Sequence, residues 1–294
     1  MTPAKTKQLD ELRRSYLDLK KEKESLLTLI DEAELSEAVY NSNAIENSTL
    51  TLGDTERILL DLELSKEYSL REVFEAKNLA RVSEYIRNKK DLILTTELMI
   101  FLHNMLIGGI DDTIAGRFRK EGEYVRVGSH IAPAPEHLVR MLEVLLHDYT
   151  ANHSSHIVDK IAHFHLQFEH IHPFNDGNGR IGRVFINLQL QSYGYPNIII
   201  RDKEKARYYA TFQTYRESAK VTGLVQVINL ALCEGLHKRI CYLKGNTIVT
   251  LATYAKRHSL PLASLINKAR RQTIPAFREK GVWKIAESYT TKKL

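Results

Sequence analysis

The segment HPFNDGNGRIGR, from His172 to Arg183, packs an imidazole, a carboxylate, three glycines and two arginines into twelve residues. Each type has a separate task if the ligand is a polyphosphate. Gly177 and Gly179 lack a Cβ and tolerate positive φ, so the backbone can come close to an anion. Successive amide N–H groups in such a turn form an anion-binding nest, strengthened where a helix begins. The apolar run Ile181–Leu190 predicts such a beginning. Arg180 and Arg183 would then share a helical face and offer permanently charged forks to phosphate oxygens. Asp176 supplies the hard oxygen that Mg²⁺ takes, since that ion keeps its waters and binds only one or two carboxylates. His172 can accept a proton near neutral pH and is the candidate general base. Asn178 can donate its amide to a phosphate oxygen or cap the next helix. Phe174 reads as a core anchor. A Walker-type loop fits less well, because no Gly-Lys-Ser/Thr follows the glycines.

The segment resembles the signature HxFx(D/E)GNGRxxR of the Fic (filamentation-induced-by-cAMP) family, with every specified position filled. AGRFRKEGEYVRVGSHIAPAP, from Ala115 to Pro135, is similar to the family's Gly-Arg-hydrophobic segment and β-hairpin flap. YGYPNIIIRDKEKARYY, from Tyr193 to Tyr209, is similar to the stretch after the signature helix. The resemblance covers about residues 35–240. It implies a mainly α fold and a protein adenylyltransferase that moves AMP from ATP onto a Ser, Thr or Tyr hydroxyl of a target protein. The residues agree with that chemistry. A hydroxyl would attack the α-phosphorus while His172 takes its proton. Pyrophosphate would leave in line, its charge held by the nest, both arginines and the Mg²⁺ on Asp176.

Upstream, NSNAIENS contains Ser42, Glu46 and Asn47 in the spacing of the family's inhibitory motif (S/T)xxxE(G/N). Ser42 and Glu46 would lie one turn apart on a helix face. The resemblance implies that Glu46 pairs with Arg183, since a carboxylate can occupy both donors of a guanidinium. ATP would then bind in a non-productive pose. In some members the same glutamate orients a water that removes AMP, and the sequence leaves both roles open. The resemblance also places Glu46, Val125, Arg126, Val127, Gly128, Tyr208 and Tyr209 at ATP, beside the signature residues Asp176, Gly177, Asn178, Gly179, Arg180, Ile181, Gly182 and Arg183. The flap would align a target segment by main-chain pairing. Tyr208 and Tyr209 are either an adenine wall or half-buried helix residues. Relatives often carry Asn seven residues beyond the second tyrosine; here it is Arg216, which leaves that ribose or adenine contact open.

These side chains need a scaffold of appropriate size, and 294 residues with 43% hydrophobic content allow one large domain and one small one. The opening MTPAKTKQLDELRRSY is highly charged and has no apolar h-region, and no stretch is long and apolar enough to span a bilayer, so a cytoplasmic location without membrane contact is expected. Cys233 and Cys241 read as core residues of one helix in a reducing compartment. His163, His165, His170 and His172 lie close in sequence. However, the first two point to different helical faces and no thiolate accompanies them, so only His172 is assigned to chemistry.

Three regions are expected: an amphipathic helix in residues 1–34, a Fic-fold helical domain with its flap in 35–243, and a basic domain in 246–294. The apolar positions Leu9, Leu12, Tyr16, Leu19, Leu26, Leu27 and Ile30 predict one helix over Lys5–Ile30, packing on the domain or pairing two copies in a homodimer. The inhibitory helix is expected near 36–47, and further helices near 54–63, 70–89, 95–107 and 135–150. Glu72 and Asn78 read as ordinary surface positions. Residues 238–294 hold 13 Lys/Arg against 2 Asp/Glu, a net of +11, so an anionic partner is expected there. The boundary falls where a helix stops at Gly245. Beyond it the pattern predicts helix, turn, helix and a hairpin turning at Lys280-Gly281. This resembles the winged helix-turn-helix of excisionase and MerR-like regulators, which implies DNA binding by the second helix and a basic wing. The alternative to catalysis is a DNA-binding transcriptional regulator whose Fic domain binds nucleotide with little turnover.

Overall fold

The computed structural model describes residues 1–64, 67–89 and 91–290. By internal contacts the chain forms two compact units, one of Met1–Glu34, Gly194–Ile198 and Ile228–Leu294, the other of Leu35–Tyr193 and Ile199–Val227.

The first unit begins with α1 (Pro3–Leu19) and the opening turns of α2 (Glu24–Ile45). The single helix expected over Lys5–Ile30 is therefore two. Lys20-Lys21-Glu22-Lys23 offers no apolar side chain to bury, and Glu22 turns left-handed with φ 63°. Later come most of α10 (Thr222–Leu243), β3 (Ile248–Thr250), α11 (Leu251–Arg257), α12 (Leu262–Arg270), β4 (Phe277–Glu279) and β5 (Val282–Ala286). α10 stops as expected: Gly245 has φ 65°, and the Asn246 N–H reaches back to the Cys241 carbonyl at 3.2 Å. Cys233 and Cys241 are buried on α10 as free thiols. The expected hairpin forms at Lys280-Gly281, where both residues have positive φ and Glu279 pairs with Val282. A strand absent from the sequence expectation, β3, adds to β5, so the sheet order is β3-β5-β4. Leu251, Tyr254, Leu265, Ala269 and Ile285 form its core.

The second unit holds α3 (Leu52–Leu59), α4 (Leu70–Asn88), α5 (Thr96–Ile107), the β1–β2 hairpin (Arg126–Val127, His130–Ile131), α6 (Leu138–Ala151), α7 (Ile157–Ile171), α8 (Asn178–Ser192) and α9 (Lys205–Ser218). Thr51, Ser69 and Thr95 cap α3, α4 and α5 by accepting a main-chain N–H three residues on. α7 and α8 are buried over most of their surface, polar positions included, which suits central helices covered on several sides. Phe164, Phe168, Phe174, Ile181 and Phe185 lie where they meet. The loop joining them, residues 172–177, is therefore anchored at both ends.

Asn78 is a correction. It is buried, and its amide donates to the carbonyls of Leu106 at 3.1 Å and Gly108 at 2.9 Å, satisfying the end of α5. Glu72 is also employed: its Oε1 accepts from the main chain and hydroxyl of Thr49, at 2.7 and 2.9 Å. Asn78→Ala should lower unfolding stability by about 1–3 kcal/mol, because carbonyls are left buried without a donor. Chemical denaturation measures this, and an unchanged midpoint would contradict the assignment.

Candidate active site

His172 follows the last turn of α7 in a left-handed conformation, φ 50° and ψ 61°, unusual for a residue with a Cβ. Its surroundings over-determine that geometry. The His172 N–H bonds the Phe168 carbonyl at 2.9 Å, while Arg119 donates its Nε to the His172 carbonyl at 2.9 Å. Arg119 is buried, and its other donors reach the carbonyls of Glu123, Pro133 and Ile171. Asn178 closes the loop by bonding both the N–H and the carbonyl of Phe174, at 3.0 and 2.8 Å. Its side chain therefore spans the loop and does not cap α8. Phe174 is a core anchor, stacked on His103 with centroids 3.7 Å apart.

Gly177 has φ 79° and precedes α8, as the nest requires. Gly179 is different: it sits inside α8, where any residue could adopt its backbone. A Cβ there would collide with the Glu46 carboxylate, so the glycine provides room, not a turn. The first bond of α8 runs from Ile181 to the Gly177 carbonyl, so the N–H groups of Asn178, Gly179 and Arg180 precede it.

The two arginines diverge. Arg180 pairs with Asp176 and with Glu75 of α4, both at 3.0 Å. Arg183 turns to the end of α2: Nε donates to Ser42 Oγ at 2.9 Å, and NH2 donates to the Ser42 carbonyl and to Glu46 Oε1, both at 2.8 Å. Glu46 directly follows α2. Asn47 turns left-handed with φ 70°, and the N–H groups of Asn47 and Ser48 return to the carbonyls of Ala44 and Asn43. This helix end demands glycine or asparagine at position 47, which gives the third residue of the motif a backbone cause.

A cavity of about 560 Å³ opens beside this cluster. Of the expected residues it gathers Glu46, Val127, Gly128, His172, Gly179, Arg183, Tyr208 and Tyr209, with Arg216 also on its wall. Ser42, Asn47, Val125, Arg126, Asp176, Gly177, Asn178, Arg180, Ile181 and Gly182 do not line it. Gly128, with φ 60°, turns the hairpin whose Val127 faces the cavity.

Residues 93–190 match the model of the Fic/DOC family. Protein adenylyltransferase Fic of Drosophila virilis is 33% identical over 215 residues, which is 68% of this chain and 43% of that protein. The chain thus spans less than half the length of that relative. A Fic domain-containing signalling protein from Bacteroides thetaiotaomicron superposes with a TM-score of 0.72 at 26% identity, covering 81% of this chain and 97% of the other. A Fic family protein from Desulfovibrio desulfuricans shares the fold over 99% of this chain and 98% of its own, with a TM-score of 0.69 at 20% identity. Residues 93–190 thus carry a Fic/DOC-family domain.

Burial shapes the electrostatics of that domain. It holds the His172 imidazole down at about 4; the nearby Glu169 carbonyl opposes the shift and Arg119 adds to it. His172 is thus neutral through the physiological range, below the titration expected from its type. Burial, reinforced by the nearby Glu46, lifts the Glu169 carboxyl to about 8. Arg183 is penalised by burial, but Glu46 and the Tyr208 hydroxyl more than restore its charge. Burial also works against Asp176, yet Arg180, the Gly177 N–H and Arg71 keep its carboxyl low. Tyr208 is buried and bonds His165 at 2.6 Å, while half-exposed Tyr209 donates to the Ile45 carbonyl at 3.0 Å. No helix among the described residues is long and apolar enough to cross a membrane.

The sequence reading missed three residues that hold the site together. Arg119 lay inside the quoted Gly-Arg segment but had no visible partner. His103 accepts from the Gly116 N–H and reaches the Asp176 carbonyl at 3.0 Å, a contact between residues far apart in sequence. Arg71 contacts the Asp176 carboxylate from α4.

The folded pKa of His172 lies below its ordinary 6.5, so the linked stability is complete above that value and is lost as pH falls through about 4. Nitrogen NMR should find the ring uncharged at pH 5.5, where an unshifted histidine is mostly protonated. A midpoint near 6.5 would refute this.

Proposed function

We propose that this protein is a protein adenylyltransferase that transfers AMP from ATP to a hydroxyl side chain of a target protein, restrained by its own Glu46. The observation that carries the proposal is that neutral His172, Gly179 in the first turn of α8 and a guanidinium already occupied by Glu46 line one cavity.

The triphosphate would lie along the Gly177–Arg180 amides, with its innermost phosphorus facing His172. As the hydroxyl oxygen bonds to that phosphorus, the bond to the pyrophosphate oxygen breaks, and His172 takes the hydroxyl proton. A neutral imidazole suits that task. The β1–β2 hairpin would hold the target segment by main-chain pairing. Tyr209 and Arg216 stand on the wall available to the base.

Asp176 offers a single carboxylate, its side chain about one-third exposed, and among the described residues no group of three potential ligands is placed to hold a metal alone. That donor set fits Mg²⁺ delivered on a nucleotide. Asp176 would hold the ion, which supplies charge neutralisation on the outer phosphates. Arg71 would have to release the carboxylate.

With Glu46 on Arg183, the outermost phosphate loses that cation, which accounts for restraint. The same carboxylate shares the cavity with His172 and is placed to orient a water for the reverse removal of AMP. A DNA-binding role of residues 246–294 is the second proposal, favoured by the end of α12, where Arg270 and the next residue, Arg271, are exposed. The wing is a weaker candidate, because Arg278 pairs with Glu234 and Lys284 with Glu279. Lys292 and Lys293 lie outside the described residues.

Glu46→Gly should raise AMP incorporation from labelled ATP by about ten- to a hundredfold, the worth of one charge-assisted bond released from Arg183. His172→Ala in that background should remove about 10²–10⁴ of it. Unchanged labelling in the first variant would end the inhibitory assignment, and labelling that survives in the second would end the catalytic one. Filter binding of duplex DNA should weaken steeply with salt, and a flat response would dismiss α12 as a phosphate-binding helix.

A further inference from the structure

We propose that Glu169 is the positioning partner of His172, its carboxyl closing on Nδ1 and so presenting Nε2 to the acceptor hydroxyl. The proposal rests on the adenylyl-transfer reading. Glu169 lies three residues before His172, and the left-handed bend at His172 brings Nδ1 to 3.7 Å from Glu169 Oε2. Both side chains are largely buried, 10% and 14% exposed. Nδ1 and the other carboxyl oxygen, Oε1, each lack a hydrogen-bond partner. An orphaned Nδ1 at such a depth costs on the order of 1–3 kcal/mol, so a small rotation that brought the Glu169 carboxyl within bonding distance of it would be favoured, in competition with His165, whose Nδ1 is also unpartnered. Catalytic hydrogen bonds are commonly long before substrate arrives and tighten in the reacting complex.

Gly182 strengthens the case. A Cβ there would lie 2.8 Å from Glu169 Oε1 and 2.9 Å from His165 Cε1, so this glycine, at a position the signature leaves open, makes the room that the carboxyl occupies. The charged and titratable groups facing Glu169 are Glu46 just after α2, His165 and His172 from its own side, Arg183 of α8, and Tyr208 and Tyr209 of α9. Glu46 repels a charge on Glu169 and Arg183 favours it. Departure of Glu46 therefore eases ionisation of Glu169 at the moment a base is required. When Nε2 takes the hydroxyl proton, the ring becomes an imidazolium whose Nδ1–H donates to the carboxylate. The Glu169 main-chain carbonyl also faces the ring and favours the same tautomer, so the side chain must be tested separately.

In the Glu46→Gly background, Glu169→Gln and Glu169→Ala should each lower kcat by about tenfold or more while KM for ATP stays within about twofold. The parent's kcat should rise with pH as Glu169 ionises, and Glu169→Gln should flatten that limb. Parental kcat and pH profile in Glu169→Gln, or a loss confined to KM, would overturn the proposal. Nitrogen NMR on the Glu46→Gly protein covers the case of unstable variants. His172 should show an Nδ1–H tautomer whose shifts follow a second titration from Glu169; an Nε2–H tautomer, or shifts without that second titration, would refute it. Should the Glu46→Gly protein transfer no AMP yet show the coupled titration, the transfer reading fails and the pairing stands.

Discussion

A guanidinium that is 7% exposed must have an anion beside it, and Arg183 arranges the second unit around that need. Arginine stays charged at any accessible pH, and leaving a buried charge unpaired costs about 3–5 kcal/mol. The partners come from one place, the last turn of α2. Ser42 contributes its hydroxyl and carbonyl, and Glu46 a carboxylate. Asn47 contributes the left-handed turn that ends the helix there. A three-residue motif thus reduces to a single demand: deliver an anion to Arg183 from a helix terminus. Under the proposed reading, a nucleotide phosphate can meet the same demand, so carboxylate and phosphate exchange without leaving the cation bare.

The second constraint acts on the loop before α8. A left-handed residue with a Cβ costs on the order of 1–3 kcal/mol and persists only where its surroundings over-determine it. Here four main-chain carbonyls converge on Arg119, Asn178 spans the loop to Phe174, and neutral His103 joins Gly116 to Asp176. None of these groups is in the cavity wall. They fix the backbone of His172 before any ligand arrives, which is a form of pre-organisation that acid–base chemistry uses.

Much of this was legible in the sequence because it is local. The helix after the glycines, the stop at Gly245, the Lys280-Gly281 hairpin and the Ser42–Glu46 turn are written in neighbouring residues. What escaped notice depends on partners distant in sequence. Asn78 looks like a surface amide until Leu106 and Gly108 are brought to it. Arg119 looks like one more surface cation until the loop closes over it. The break at Lys20–Lys23 was hidden for a different reason: apolar spacing stays nearly in phase on both sides of it, and only the absence of anything to bury inside the turn distinguishes two helices from one. The divergence of Arg180 and Arg183 was also illegible, since three-residue spacing fixes a shared face but not which anion each long side chain will find.

The glycines between His172 and Arg183 show how the two constraints meet. Only Gly177 is needed for its backbone. Gly179 and Gly182 are helical, and each leaves space for a carboxyl that comes from elsewhere: Glu46 over the first, Glu169 over the second. Two acids thus approach the same guanidinium across one helix face stripped of side chains. Burial and the nearby Glu46 push the carboxyl of the deeply placed Glu169 upward. Replacing Glu46 with any other anion preserves this competition, whereas moving negative charge away relaxes it. The ionisation of Glu169, and through it the environment of His172, is therefore tied to whatever occupies Arg183. That coupling needs no movement of α7 or α8, only an exchange of anions above Gly179.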